Sequence, residues 1–169
     1  RETYATTGPR IQIRMFAGWE FSQADAESAE FVAIGYGGGV PMGGELNTAP
    51  GNSAPTFLLR ASRGPIDHNL DRIQIIKGWT DASGEAQEKI FNVAWSGDRQ
   101  LDGTGKLAPV GSTANTRTGI TINTIGAAEL ATVWVDPEFD PNQRAFYYAR
   151  VIQIPTVRHS QLDAIALGI

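Results

Sequence analysis

Two runs of apolar, β-branched and aromatic residues, Ile73 to Trp79 and Ile90 to Trp95, stand close together near the middle of the chain. In the second, Phe91, Val93 and Trp95 alternate with Asn92 and Ala94, the two-residue period of a strand with one buried face. The segment between them, Asp81-Ala82-Ser83-Gly84-Glu85, has turn chemistry. Gly84 adopts positive φ without steric cost, and Asp81 and Ser83 can hydrogen-bond their own backbone. The pattern predicts a β-hairpin.

The same alternation marks further strands on either side. Ile11, Ile13 and Met15 alternate with Gln12 and Arg14, predicting a strand that ends near Trp19. Residues 57–61 (FLLRA), Ile120 with Ile122, and Thr132 to Val135 predict three more. Ala145 to Ile154 (AFYYARVIQI) is apolar on both alternating faces, as in a central strand packed on two sides. Helix formers in residues 22–30, behind a possible Ser22 N-cap, predict a short helix, and the tail SQLDAIALGI is mildly helical. Gly35 to Gly44 (GYGGGVPMGG) and Asn47 to Pro55 (NTAPGNSAP) read as one long Gly/Pro-rich loop, a rare and usually functional or mobile feature. About seven short strands separated by turns predict an all-β antiparallel β-sandwich, immunoglobulin-like or jelly-roll-like, forming a single domain over residues 1–169.

Composition narrows the function classes. A net charge of −4 with no Lys/Arg-rich run argues against nucleic acid as a partner, since such binders carry a basic face. No apolar run reaches the roughly 18 residues of a membrane-spanning helix. The chain has no cysteine, so neither disulfides nor thiolate metal sites are available, and the compartment stays open. A periplasmic or extracellular setting is the expectation. The chain opens at Arg1 on a polar segment, without an initiator Met, and reads as a piece of a longer polypeptide.

Candidate chemistry is sparse. His68 and His159 are far apart and fit no metal-ligand spacing. The glycines of 35–44 lack the GK[ST] or the strand–helix setting of a phosphate cradle, and a close backbone approach suits them better. Asp136, Glu138 and Asp140 alternate in DPEFDP, and Asp98 and Asp102 flank a glycine-containing loop. Such clustered oxygens are weak calcium candidates, with ordinary Asp-Pro turns as the plainer reading. Trp19, Trp79, Trp95 and Trp134, with Tyr147 and Tyr148, could form a sugar-stacking platform, although strand aromatics more often pack in cores. No nucleophile elbow or Ser-His-Asp set is present, so no catalytic residue is assigned.

Three stretches carry a resemblance: YATTGPRI (Tyr4 to Ile11); LDRIQIIKGW with VAWSGDR (Leu70 to Trp79, Val93 to Arg99); and NTIGAAELATVWVDPEFDPNQRAFYYARVIQIPT (Asn123 to Thr156). Together with GYGGGVPMGG they resemble, in order and over nearly the whole chain, the C-terminal part of the bacterial family labelled "domain of unknown function 3604". His159 departs from that pattern, which has an aromatic residue there. Full-length members look like metal-dependent hydrolases of the polymerase-and-histidinol-phosphatase (PHP) superfamily. Their metal motifs lie in a barrel upstream of the Tyr-Ala-Thr-Thr-Gly-Pro segment. The resemblance therefore implies a non-catalytic appendage with no cofactor or metal of its own, while the parent holds a divalent metal. Its partner would be the catalytic domain of the same polypeptide. Thr6, Thr7 and Gly8, with Gly37, Gly38 and Gly39, would border the mouth of the active site and shape substrate access. Two rival readings remain: a module that binds carbohydrate or calcium, and a homo-oligomer built through strand edges.

Overall fold

A computed structural model describes residues 3–47 and 49–169. The first two positions of the polar lead-in, and Thr48 within the Gly/Pro-rich stretch, lie outside the described residues. The fold is an antiparallel β-sandwich. One sheet has the order β2-β1-β3-β8, formed by Gly39–Pro41, Gln12–Gly18, Thr56–Ser62 and Glu129–Val135. The other has the order β5-β4-β9, formed by Ala86–Trp95, Leu70–Thr80 and Ala145–Gln153. A separate small ladder joins β6 (Ala114–Asn115) to β7 (Ile120–Thr121). The predicted hairpin is β4–β5, closed by the Asp81 turn and bulged between Ile73 and Gln74.

Alternation decides what lies between the sheets. Ile13, Met15, Phe57 and Leu59 of the four-stranded sheet meet Leu70, Ile73 and Ile75 of the other in one buried cluster. Each fully buried side chain of this size contributes about 1.5–3 kcal/mol. Phe16 and Leu58 point the opposite way and pack under α1 (Gln23–Glu27) and α2 (Phe31–Gly38) in a second cluster with Phe21, Ala26 and Phe31. The four-stranded sheet is thus buried on both faces.

Two expectations are corrected. The glycine-rich stretch is not a loop throughout: residues 31–38 are helix α2 and residues 39–41 are strand β2. Close packing explains this, because Gly35 lies against the Phe16 ring, where a Cβ would come within 2.3 Å of it. The backbone of Gly39 similarly approaches the Ala17 carbonyl, at 2.3 Å from an ideal Cβ. Tertiary contact overrides the poor helix propensity of glycine here. The second correction concerns β9, which is an edge strand and not a central one. Its even-numbered residues Phe146, Tyr148 and Arg150 are exposed, and β4 takes the central place. The tail forms α3 (His159–Leu167), ended by Gly168 in the left-handed conformation.

Candidate functional site

The two sheets are unequal. Trp134 of β8 packs against Phe91 of β5, and Phe57 of β3 packs against Tyr147 of β9, so the sandwich is closed on the β8–β5 side. On the other side the four-stranded sheet continues to β2, while its partner stops at β9. A long cleft of about 1650 Å³ opens there. Its floor is apolar, made by Ile11, Ile13, Met15 and Ala17 of β1 and by Tyr147, Ala149 and Val151 of β9. The polar lead-in from Thr3 to Thr7 and the turn from Met42 to Leu46 form its rims. Glu45, Arg144 and Arg150 are its charged lining residues.

The access residues named from sequence divide here. Thr6 and Thr7 line the cleft, whereas Gly8, Gly37, Gly38 and Gly39 are absent from its lining among the described residues. Gly37 and Gly38 end helix α2, and Gly39 starts β2, so their part is to bring the chain to the rim residues Val40 to Gly44.

Near the aromatic pair Trp19–Phe139 on the cleft wall lies a buried ionic group. Lys77 Nζ donates to Asp136 Oδ2 and to the Glu138 carbonyl, both at 2.6 Å. The Tyr147 hydroxyl donates to the same Asp136 oxygen at 2.6 Å. Asp136 Oδ1 accepts the Glu138 amide at 2.9 Å, which fixes the DPEFDP turn against the sheet. Lys77 and Asp136 are each 2% exposed, so neither charge could stand alone. Burial and, secondarily, the Asp136 carboxylate push the Tyr147 hydroxyl far above the usual phenol range, so it stays a proton donor. The four bonds form a clamp that ties β4, β9 and the DPEFDP turn together.

The family model described as "Protein of unknown function (DUF3604)" matches residues 1–169. This chain belongs to the DUF3604 family. No curated protein and no solved structure matches it.

In this DUF3604 chain the carboxylates of the three calcium candidates share no partner. Asp136 holds Lys77 and Tyr147, Glu138 pairs with Lys89, and Asp140 Oδ1 accepts the Asn142 amide at 2.9 Å. Among the described residues no three His, Cys, Asp or Glu side chains converge as a metal site. Asp102 resembles Asp81 in its role. Each carboxylate accepts the amide and hydroxyl two residues on and the amide four residues on, capping a tight turn. These bonds lower both carboxyl groups, led by the Ser83 hydroxyl for Asp81 and the Thr104 hydroxyl for Asp102; Asp81 falls to about 2. His159 lies on exposed α3 beside Asp163, and His68 lies in the loop before β4.

The tryptophans do not make a shared platform. Trp134 is packed between Phe57 and Phe91, the Trp95 indole donates to the Arg99 carbonyl, and Trp79 lies beside the Lys77 ammonium. The exposed aromatic row is instead Phe146 and Tyr148, whose rings lie 6.4 Å apart and parallel within 11°. Sequence reasoning grouped Tyr148 with Tyr147, which turns inward. The strict alternation of Arg144, Phe146, Tyr148 and Arg150 was the available signal for the row. Lys77, a lone cation within an apolar strand run, was likewise the signal for a buried partner.

Proposed function

We propose that this domain is the non-catalytic β-sandwich appendage of a PHP-type metal-dependent hydrolase, docking against the catalytic barrel through its open side. The cleft carries this reading. It is a wide trough with an apolar floor and polar rims that include Thr6 and Thr7, in the segment where, by the family resemblance, the barrel gives way to the appendage. Its lining suits recognition: apolar strand residues form the floor, threonines and main chain border it, and no carboxylate–histidine pair is available for proton transfer. The buried Lys77–Asp136–Tyr147 clamp holds one wall rigid, which limits the ordering cost of docking.

The test places bulk in the cleft without touching the core. Thr6 and Thr7 are exposed, so Thr6→Arg with Thr7→Arg leaves the melting temperature of this chain unchanged. In the intact hydrolase the same pair lowers kcat/KM at least tenfold, or weakens binding to a separately expressed barrel by as much. Unchanged turnover and unchanged affinity would refute the docking role of the cleft.

A further inference from the structure

The outer face of the three-stranded sheet carries an aromatic and cationic row along β9, the strand that borders the cleft. Phe146 and Tyr148 alternate along β9 with their side chains on this face, and are 62% and 45% exposed. Gly78 of the central strand pairs with Phe146, and an ideal Cβ there would lie 2.3 Å from the ring's Cζ. The ring therefore lies across the glycine, held down at a position that only a residue without a Cβ leaves free. Glycine inside a central strand weakens it, and a close approach of this kind is the usual reason for its presence. The ring is otherwise largely exposed, and the Tyr148 ring runs parallel to it.

Arginines stand at both ends of the row. Arg150 donates to Gln74 Oε1 at 2.9 Å, and Gln74 in turn is held by Asn92 at 2.9 Å, so the guanidinium is oriented by neutral amides. Arg144 borders the hollow above Gly78 with Phe146, and Glu88 of β5 lines the hollow's far side. Neither arginine has a carboxylate partner within ion-pair distance among the described residues. From Arg144 to Arg150 the row is one strand wide and about 20 Å long at strand rise. This is a linear track with a cation at each end of two aromatic rings, flanked on β5 by the exposed Ile90.

We infer that this row is a binding track for an anionic polysaccharide, with Phe146 and Tyr148 stacking on sugar-ring faces and Arg144 and Arg150 holding its acidic groups. Aromatic rings offer flat apolar area to the C–H face of a pyranose at low entropy cost. Guanidinium forks match carboxylate and sulfate geometry. Repetition of sugar and charge along a polymer fits a one-strand-wide track with separated cations. A globular protein would need a broader apolar centre. Arg144, Phe146, Tyr148 and Arg150 also line the cleft, so the track is tested on this chain without a barrel, where its failure is separate from that of the docking role.

Affinity electrophoresis and isothermal titration of the 169-residue chain test it, with polygalacturonate, heparin, and neutral dextran as probes. Retention by polygalacturonate or heparin and not by dextran is expected; retention by polygalacturonate identifies carboxylate recognition, and retention by heparin without polygalacturonate identifies sulfate. Tyr148→Ala, which leaves Gly78 covered, and Arg144→Gln with Arg150→Gln each weaken binding at least tenfold at unchanged melting temperature. Retention that Tyr148→Ala leaves intact, so that charge alone accounts for it, would overturn the inference. So would no retention by either acidic polymer, including the case in which the chain self-associates through this face and Tyr148→Glu returns it to monomer.

Discussion

The outer faces of the two sheets have opposite fates. On the four-stranded sheet Phe16 and Leu58 are sealed by α1 and α2, and the Arg60 guanidinium stacks 4.6 Å over the Phe31 ring while donating to the Ser28 carbonyl. On the three-stranded sheet Phe146, Tyr148 and Ile90 face solvent with no helix above them. Both strands at issue are rich in apolar residues, so hydrophobicity alone does not distinguish a covered face from an open one. The difference lies in the connection: the chain between β1 and β2 is long enough to fold back as two short helices, while β4 and β5 are joined by a tight turn. What the first sheet buries as core, the second presents as surface.

Truncation at matched positions should expose that contrast most strongly. Phe31→Ala removes a 2%-exposed ring from under the helices and is expected to cost about 3–5 kcal/mol in urea unfolding. Tyr148→Ala on the open face should stay within about 0.5 kcal/mol. Similar losses at both sites would mean that the second face is covered in solution. Two glycines of α2 sharpen the same contrast within one helix. Gly35→Ala drives a methyl into the Phe16 ring and should cost about 1–3 kcal/mol. Gly37 has open space around it, so Gly37→Ala should instead gain up to about 1 kcal/mol from helix propensity. Equal signs in thermal melts would show that α2 is not seated on the sheet.

The smallest effect concerns the end of the three-stranded sheet. The Asp81 carboxyl lies at about 2 when folded, below its ordinary value near 3.9. A depressed folded value makes the contribution complete above about pH 4, and it is lost as pH falls through about 2. Asp81 sits in a solvent-facing turn, so the effect is modest. Asp81→Asn should flatten the fall in melting temperature between pH 4 and 2, and an unchanged acid limb would show that the turn bonds do not form.

The strands and the first helix were readable where local pattern and tertiary environment agree. The β4–β5 hairpin follows from its alternation and the Asp81 turn. Helix α1 begins where Ser22 predicts, with the Ser22 amide and hydroxyl both donating to the Asp25 carboxylate. Helix α2 was illegible because Gly35 is fitted to the Phe16 ring and Gly38 to the Phe21 ring, contacts no local window contains. Strand β9 misled for a related reason. Phe146 and Tyr148 are apolar enough for a core, and only the sheet order shows that nothing lies above them. The cleft was half legible: Thr6 and Thr7 were named, but its floor depends on one sheet outrunning the other, which strand patterns alone do not reveal.

The pairing of β3 with β8 has a consequence for synthesis. Thr56 lies opposite Val135 and Ser62 opposite Glu129, with the whole β4–β5 hairpin and the small β6–β7 ladder between them in the chain. As the nascent polypeptide leaves the ribosome, β1, β2 and β3 can associate early, but the far edge of β3 stays unpaired until β8 emerges. During that interval Phe57, Leu58 and Leu59 line an open strand edge, the kind of surface that recruits chaperones or neighbouring chains. An open edge of this kind therefore exists before the domain is finished, on the sheet that ends up covered by helices.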